Sequence, residues 1–235
     1  MLKSFLWSQK LAQELILCLH GVGTPHVGVA PAESFFWVTR QAFTTLLDNI
    51  VLTRGTVQIP AVVTFDDGND TDALIAMPEL AKRGLKAIFF ICSGRIGVAH
   101  YLDRVALGDL IAAGMEIGTH GKDHRNWRGL DETTLEAELG EARRRIEDVC
   151  GTAVTKAAIP FGSYDRHVLK RLRRERFACV YTSDRGLAQC DAWLKPRDTM
   201  DRTWSEPEIK EVLAAKPSMK ARLRREAAML YKRLR

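Results

Sequence analysis

Short apolar runs alternate with longer amphipathic segments along the body of the chain. The short runs have the length and the β-branched content of strands, whereas apolar residues in the longer segments recur at helical spacing. This alternation is typical of parallel strands joined by helices, and it predicts an α/β fold. The predicted strands cover residues 15–20, 61–65, 87–92, 116–119, 156–159, 178–182 and, with a weaker pattern, 193–195.

Glycines mark the ends of three of the predicted helices. The helices over residues 71–83, 104–113 and 132–150 are followed by Gly84, Gly114 and Gly151, each placed where a left-handed residue would end a helix. Another helix is predicted over residues 39–50, after a loop at 22–32 that contains two glycines and two prolines.

The composition narrows the class of protein. The 235 residues are 46% apolar and 27% charged, as in a soluble globular domain. No apolar run approaches the roughly 20 residues of a membrane-spanning helix. Polar residues interrupt the N-terminal apolar stretch before a signal-peptide cleavage site, and the five cysteines form no Cys-x-x-Cys pair. We therefore expect a cytoplasmic protein without disulfides.

Positive charge is concentrated at the C-terminus. Residues 206–235 contain nine Lys or Arg and four Glu, a net charge of +5 out of +6 for the whole chain. The nearly neutral body argues against a nucleic-acid-binding groove. Within this segment, Met219, Leu223, Leu230 and Leu234 have the spacing of an amphipathic helix. One interpretation is a helix docked on the body with its charged face in solvent; the other is contact with an anionic membrane surface or a lipid-linked diphosphate.

Two adjacent carboxylates follow the second predicted strand. Residues 62–68 read VVTFDDG, so the strand leads directly into Asp66 and Asp67. In a barrel of parallel strands the active site lies at the C-terminal ends of the strands, where a pair of acids can serve catalysis or bind a metal. The alternative is a turn in which one aspartate caps the following helix.

Two histidines follow the fourth predicted strand. Residues 116–124 read EIGTHGKDH, which places His120 and His124 at a spacing that can put both rings on one metal ion. A histidine pair alone is a weak signal, because most such residues are structural. Together, one aspartate and two histidines form a three-ligand set with an open position for water, and the second aspartate is free to act as a general base.

These segments resemble the motifs of the polysaccharide deacetylases with a NodB-type domain, also called carbohydrate esterase family 4. The resemblance rests on residues 64–68 (TFDDG) and 120–124 (HGKDH). It implies a distorted (β/α)7 barrel, which we expect over residues 1–205, followed by a basic helical extension at 206–235. It also implies that Asp66 is the base and that Asp67, His120 and His124 bind a divalent metal, usually zinc.

The family's third motif is present in altered form. It matches residues 158–162 (AIPFG), so the resemblance assigns Pro160, Phe161 and Gly162 to the substrate and oxyanion wall, with the backbone N–H of Phe161 as a donor. Ala158 stands where the family has an arginine that orients the base. Arg185 and Arg197 follow later strands and are the candidate replacements, although a structural salt bridge is the alternative for each.

The family's C-terminal histidine, the usual general acid, has no counterpart, because no histidine follows His167. His20 ends the first predicted strand and could reach the same face of the barrel. We therefore expect His20 to serve as the acid, the alternative being a histidine that packs against the loop after it.

The resemblance implies a metal-dependent hydrolase that removes the N-acetyl group of an amino sugar. A cytoplasmic location favours a nucleotide- or lipid-linked precursor of a polysaccharide or glycolipid, with peripheral contact at the inner membrane face through the basic tail. The alternatives are a non-catalytic sugar-binding barrel, suggested by Ala158 and the missing histidine, and a hydrolase of another amide or of an O-acetyl ester.

Overall fold

A nine-stranded sheet forms the centre of the protein in the computed structural model, which describes residues 13–55, 59–214 and 219–234. Its strands are β1 (Gln13–Leu19), β2 (Ala61–Phe65), β3 (Ala87–Ile91), β4 (Glu116–Thr119), β5 (Lys156–Ala158), β6 (Cys179–Thr182), β7 (Ala188–Gln189), β8 (Leu194–Pro196) and β9 (Asp198–Thr199). The seven predicted strands are all present. Strands β7 and β9 were not predicted, because strands of two residues leave no periodic pattern.

The sheet closes almost completely into a barrel. Its strand order is β7-β1-β2-β3-β4-β5-β6-β8, and the pairs are parallel except for β1 with β7. Only Arg197 separates β8 from β9, yet β8 pairs with β6 and β9 pairs with β1. One short segment therefore bridges the two ends of the sheet, and the predicted distorted (β/α)7 barrel is confirmed.

Side chains alternate between the helix-covered outside of the barrel and its interior. Leu15, Leu17 and Leu19 of β1 belong to the large core beneath the helices, whereas Ile16 points inward. The interior cluster consists of Ile16, Ile88, Phe90, Ala158, Tyr181 and Ala188. Because both faces are buried, the strands appear in the sequence as continuous apolar runs.

The helices are α1 (Pro31–Ser34), α2 (Arg40–Thr53), α3 (Met77–Lys82), α4 (Arg104–Ala112), α5 (Glu132–Glu136), α6 (Ala142–Cys150), α7 (Arg166–Arg174), α8 (Glu206–Leu213) and α9 (Met219–Leu234). Two helices predicted as continuous contain a π-helical turn, at Asp72–Ala76 before α3 and at Ala137–Glu141 between α5 and α6. The three predicted glycines after the helices all have positive φ. The helix α7 was not predicted.

The C-terminal helices lie against the barrel. Helix α8 buries Ile209 and Leu213 and packs against α2, while α9 packs against α7 and buries Met229. The proposed division at residue 205 stays a prediction. Residues 1–12, 56–58, 215–218 and 235 of the two predicted units lie outside the described residues. No helix of the described residues is long and apolar enough to cross a bilayer.

The orientation of α9 differs from the first interpretation of its sequence, in which the apolar stripe packs on the body. Met219, Leu223, Leu230 and Leu234 are 72%, 59%, 55% and 71% exposed. Charged side chains of the opposite side contact the barrel instead, because they find carboxylate and carbonyl acceptors there. The predicted docking face is therefore wrong, and the apolar stripe faces outward.

Candidate active site

A pocket of about 250 Å³ lies where the C-terminal ends of the barrel strands meet. Such a position is the usual place of the active site in barrels of parallel strands. The pocket is lined by His20, Glu33, Phe36, Asp66, His120, His124, Phe161, Ser183 and Thr199. Five of these nine residues are predicted from the sequence, and those five come from the ends of four different strands, β1, β2, β4 and β5.

Asp67, His120 and His124 form a cluster that can hold a metal ion. One ligand atom from each residue lies within 4.8 Å of the others. The Oδ1 atom of Asp67 lies 3.4 Å from Nε2 of His124 and 3.9 Å from Nε2 of His120. This oxygen is buried and accepts no hydrogen bond from the described residues, although Nη1 of Arg95 lies 3.4 Å away. Because buried polar atoms are normally satisfied, the donor set fits a divalent cation such as zinc.

The two histidines are oriented by partners on their other ring nitrogen. Nδ1 of His120 lies 2.9 Å from the carbonyl oxygen of Ala158, and Nδ1 of His124 lies 3.3 Å from Oε1 of Glu33. Partners of this kind leave each Nε2 facing the aspartates and free to bind a metal. Nε2 of His124 faces Asp67, whereas Nε2 of His120 lies between Asp67 and Oδ2 of Asp66, which is 3.6 Å away. Burial lowers the pKa of His120 to about 4. Burial also acts to lower the pKa of His124, but Glu33 and Asp67 outweigh it and raise the value.

Arg197 holds Asp66 in a buried, bidentate ion pair. Nη1 and Nη2 of Arg197 donate to Oδ1 and Oδ2 of Asp66, both at 2.7 Å, and Nη1 also donates to Oγ1 of Thr64 at 3.0 Å. Arg197 is 0% exposed. Burial by itself would raise the pKa of Asp66, but the charge of Arg197 and then that of His120 hold it well below its usual range. Asp66 is therefore ionised.

The cation beside Asp66 is Arg197 and not Arg185. Arg185 is exposed, and it makes no ion pair or hydrogen bond with Asp66 within the described part of the chain. Ala158, which stands at the position of the family's arginine, packs in the barrel interior. The guanidinium enters the site from the β8–β9 connection instead, because this segment crosses the barrel between β6 and β1.

His20 lies in the pocket, directly after β1. Its ring stacks on Phe36 with centroids 5.2 Å apart. A nitrogen of His20, a carboxylate oxygen of Asp66 and Sγ of Cys18 lie within 4.8 Å of one another. Nδ1 of His20 is buried without a hydrogen-bond partner among the described residues. An imidazole in this position is available for proton transfer at the pocket.

The turn at Pro160–Gly162 forms one wall of the pocket. Phe161 has a left-handed backbone, with φ of 59°, and its ring lies 4.5 Å from the ring of His124 while remaining 61% exposed. Gly162 also has positive φ, and a Cβ there would lie 3.0 Å from the backbone nitrogen of Ser183. The two turns after β5 and β6 are thus in close contact, which requires glycine at this position.

Two carboxylates of the site were not anticipated. Glu33, from α1, reaches His124. Glu138 lies in the π-helical turn between α5 and α6 and is 1% exposed. It accepts hydrogen bonds from the backbone of Lys122 and Asp123 and from the indole of Trp127, so it holds the loop that carries His124. Neither glutamate belongs to a motif, but the buried π-helical turn is a recurrent feature of functional sites.

Comparisons with known proteins agree with the fold and identify the family. A sequence model of the family described as polysaccharide deacetylase matches residues 54–180, just over half of the chain. YxkH of Bacillus subtilis (strain 168), a protein assigned to the polysaccharide deacetylases, is 24% identical over 197 residues, covering 80% of this chain and 71% of YxkH.

Solved structures share the fold at low sequence identity. The polysaccharide deacetylase BC0361 from Bacillus cereus superposes with a TM-score of 0.75 and 17% identity, covering 86% of this chain and 69% of that one. The Streptococcus pyogenes deacetylase PplD, solved in complex with acetate, gives a TM-score of 0.73 and 18% identity, covering 88% of this chain and 99% of that one.

Proposed function

Because the chain belongs to the polysaccharide deacetylase family, we propose that it hydrolyses the N-acetyl group of an amino sugar, releasing acetate and leaving a free amine. The family match confirms the resemblance carried by residues 64–68 and 120–124. The observation that supports the activity is the three-ligand set of Asp67, His120 and His124 beside the ion-paired Asp66. A three-ligand site with an open position is the arrangement used in metal-dependent hydrolysis.

Asp67, His120 and His124 hold the metal in this proposal. When bound, a divalent cation such as zinc polarises the acetyl carbonyl and makes the attacking water more acidic. His120 and Asp67 favour binding because His120 is neutral near neutral pH and Asp67 is ionised. The raised pKa of His124 means that this ring must give up its proton when it binds the metal. Burial raises the pKa of Asp67, but the neighbouring histidines, His20, His124 and His120, lower it further than burial raises it.

Asp66 accepts the proton of the attacking water. A carboxylate oxygen can accept more than one hydrogen bond, so pairing with Arg197 leaves a lone pair for the proton. Arg197 keeps the carboxylate ionised and fixes its plane through two hydrogen bonds. The same charge makes Asp66 a weaker base, so water activation depends on the combined action of the base and the metal ligands.

Phe161 and His20 complete the proposed machinery. The backbone N–H of Phe161 donates to the oxyanion that develops on the acetyl carbonyl, an interaction worth about 2.7–4 kcal/mol in other enzymes. His20 donates a proton to the departing nitrogen, which an amide needs before its C–N bond breaks. Its place in the pocket, next to Asp66, supports this role.

The test is acetate release from N-acetylated amino sugars presented as nucleotide-linked, lipid-linked and oligomeric compounds. The zinc-loaded protein is compared with Asp66→Asn and with Asp109→Asn, which changes an exposed aspartate of α4. We expect acetate and free amine in equal amounts, lost with Asp66→Asn or chelation and kept with Asp109→Asn. Zinc binding without turnover on any compound would favour the sugar-binding barrel. Turnover of an O-acetyl ester or of another amide instead would favour a hydrolase with a different substrate on the same metal site.

The carrier and the location of the substrate are a further part of the proposal. We propose a nucleotide- or lipid-linked substrate in the cytoplasm, where the free thiols of the five cysteines would persist. A peripheral contact of α9 with the inner membrane face is supported by its outward apolar stripe. Lysines and arginines beside such a stripe attract anionic lipids, at about 1 kcal/mol for each charge near the surface.

Vesicle binding tests the membrane contact. The full chain should sediment with phosphatidylglycerol vesicles but not with phosphatidylcholine vesicles, and Leu230→Gln should weaken the binding because it interrupts the exposed stripe. Leu52→Gln, which changes a leucine of α2 that is 75% exposed, is the matched control. Absence of binding to anionic vesicles would remove the membrane contact and leave the deacetylase proposal unaffected.

A further inference from the structure

The C-terminal helix α9 touches the wall of the pocket through one lysine. Nζ of Lys232 donates to the carbonyl oxygen of Gly162 at 3.0 Å and to Oδ1 of Asp184 at 2.5 Å. Gly162 ends the turn after β5, and Asp184 follows β6. A side chain almost at the end of the chain therefore joins the two turns that form the wall beside Phe161.

Asp184 is a buried carboxylate that needs this cation. Its side chain is only 5% exposed. The other oxygen, Oδ2, accepts hydrogen bonds from the hydroxyls of Tyr164 and Thr182, both at 2.8 Å. These neutral donors do not compensate the charge, and a buried carboxylate without a paired cation is strongly unfavourable. Lys232 is the cation that pairs with Asp184 among the described ion pairs.

The Pro160–Gly162 turn needs tertiary contacts to hold its conformation. Phe161 and Gly162 are two consecutive left-handed residues, with φ of 59° and 57°. A non-glycine residue keeps this conformation only where surrounding contacts impose it. The contact from Lys232 to the carbonyl of Gly162 and the packing of Gly162 on Ser183 are such contacts. Without Lys232, both the turn and its neighbour Asp184 lose a partner at once.

We propose that Lys232 is a positioning residue, which acts through Gly162 and Asp184 to hold the Pro160–Gly162 turn in its reactive geometry. The inference rests on the proposed function, in which the N–H of Phe161 donates to the oxyanion. It makes α9 a part of the active-site wall rather than a separable extension. Lys232 itself does not touch the substrate in this role.

The first test compares Lys232→Met and Lys232→Arg with Arg224→Met, which removes one positive charge from an exposed position of the same helix. On a substrate that the wild type deacetylates, Lys232→Met should lower kcat by about 10-fold, because a small displacement of a catalytic donor is enough for such a loss. KM should change by less than about twofold. Lys232→Arg should restore most of kcat, and Arg224→Met should behave as the wild type.

The second test does not depend on a substrate. Backbone hydrogen exchange over residues 161–165 should become faster in Lys232→Met. Zinc affinity should stay the same, because Lys232 contacts Gly162 and Asp184 and not the carbonyl of Ala158 that orients His120. Lys232→Met combined with Asp184→Asn removes the unpaired carboxylate, so this double variant should fold even if the single variant does not. Its turn should still exchange faster than in Asp184→Asn alone.

The outcomes separate this inference from the proposed function. Unchanged exchange over residues 161–165 and unchanged kcat in Lys232→Met would overturn the positioning role. An equal loss in Arg224→Met would overturn it too, because the effect would then follow the charge of the helix. If the wild type releases no acetate from any compound, the deacetylase proposal fails, and the exchange comparison still decides whether Lys232 holds the turn.

Discussion

Replacing Arg197 with methionine should destabilise the barrel by about 3–5 kcal/mol, the usual effect of removing one partner of a buried ion pair. The side chain is fully buried and donates twice to Asp66, once to Thr64 and once to the carbonyl of Thr182. Methionine fills a similar volume, so the variant mainly removes the charge and the donors. The penalty comes from Asp66, which is only 3% exposed and would be left without its cation.

The stability lost in Arg197→Met should increase as the pH rises. In the wild type the pKa of Asp66 is held below its unfolded value of about 3.9, so its contribution to stability is full above that pH and is lost as the pH falls. Without Arg197, burial becomes the dominant influence and raises this pKa. The folded variant then binds the proton more tightly than the unfolded chain, so its stability falls as the pH rises above about 3.9. The difference between the two proteins should be larger at pH 8 than at pH 5.

Urea unfolding followed by circular dichroism at pH 5 and pH 8, with chelator present, measures this difference. Arg185→Met, which changes an exposed arginine close to the same loop, should shift stability by less than about 0.5 kcal/mol. Arg197→Met combined with Asp66→Asn should recover part of the loss, because the unpaired charge is gone. A loss below about 1 kcal/mol at both pH values, or a double variant no more stable than the single one, would refute the reasoning.

Three other measurements test the site and the barrel interior. Loss of an outer-sphere partner typically weakens metal binding by about 10–100-fold, and Asp67→Asn should weaken zinc binding by more than this. If chelator competition gives Asp67→Asn the same zinc affinity as Asp109→Asn, Asp67 is not a ligand. In metal-free protein, an NMR titration should place the pKa of His120 near 4. Stability should therefore fall as the pH drops from about 6.5 towards 4, and a midpoint above 6 would contradict the buried environment. Gly118→Ala should cost about 1–3 kcal/mol, because its Cβ would lie 2.5 Å from the ring of Phe90. Gly108→Ala, where nothing lies within 4 Å, should be neutral or stabilising, and equal effects of the two alanines would argue against the packing.

The predictable part of this protein is encoded over short stretches of sequence. The barrel strands, the glycines after the helices and the paired aspartates at the end of β2 each depend on neighbours a few residues away. The C-terminal ends of parallel strands share one edge of the barrel. Because Asp67 follows β2 and the two histidines follow β4, this shared edge is sufficient to predict that Asp67 lies close to His120 and His124.

The remaining features depend on residues far apart in the chain. Arg197 lies 131 positions from Asp66 and reaches it only because the β8–β9 segment closes the barrel. The spacing within α9 predicts an apolar stripe, but the side that packs is decided by the barrel surface, where Asp184 and Gly162 offer acceptors to Lys232. Local patterns in the sequence determine which elements form and which face of each element is apolar. The tertiary structure decides the partners, because a buried charge takes the counter-ion that the closed fold places beside it.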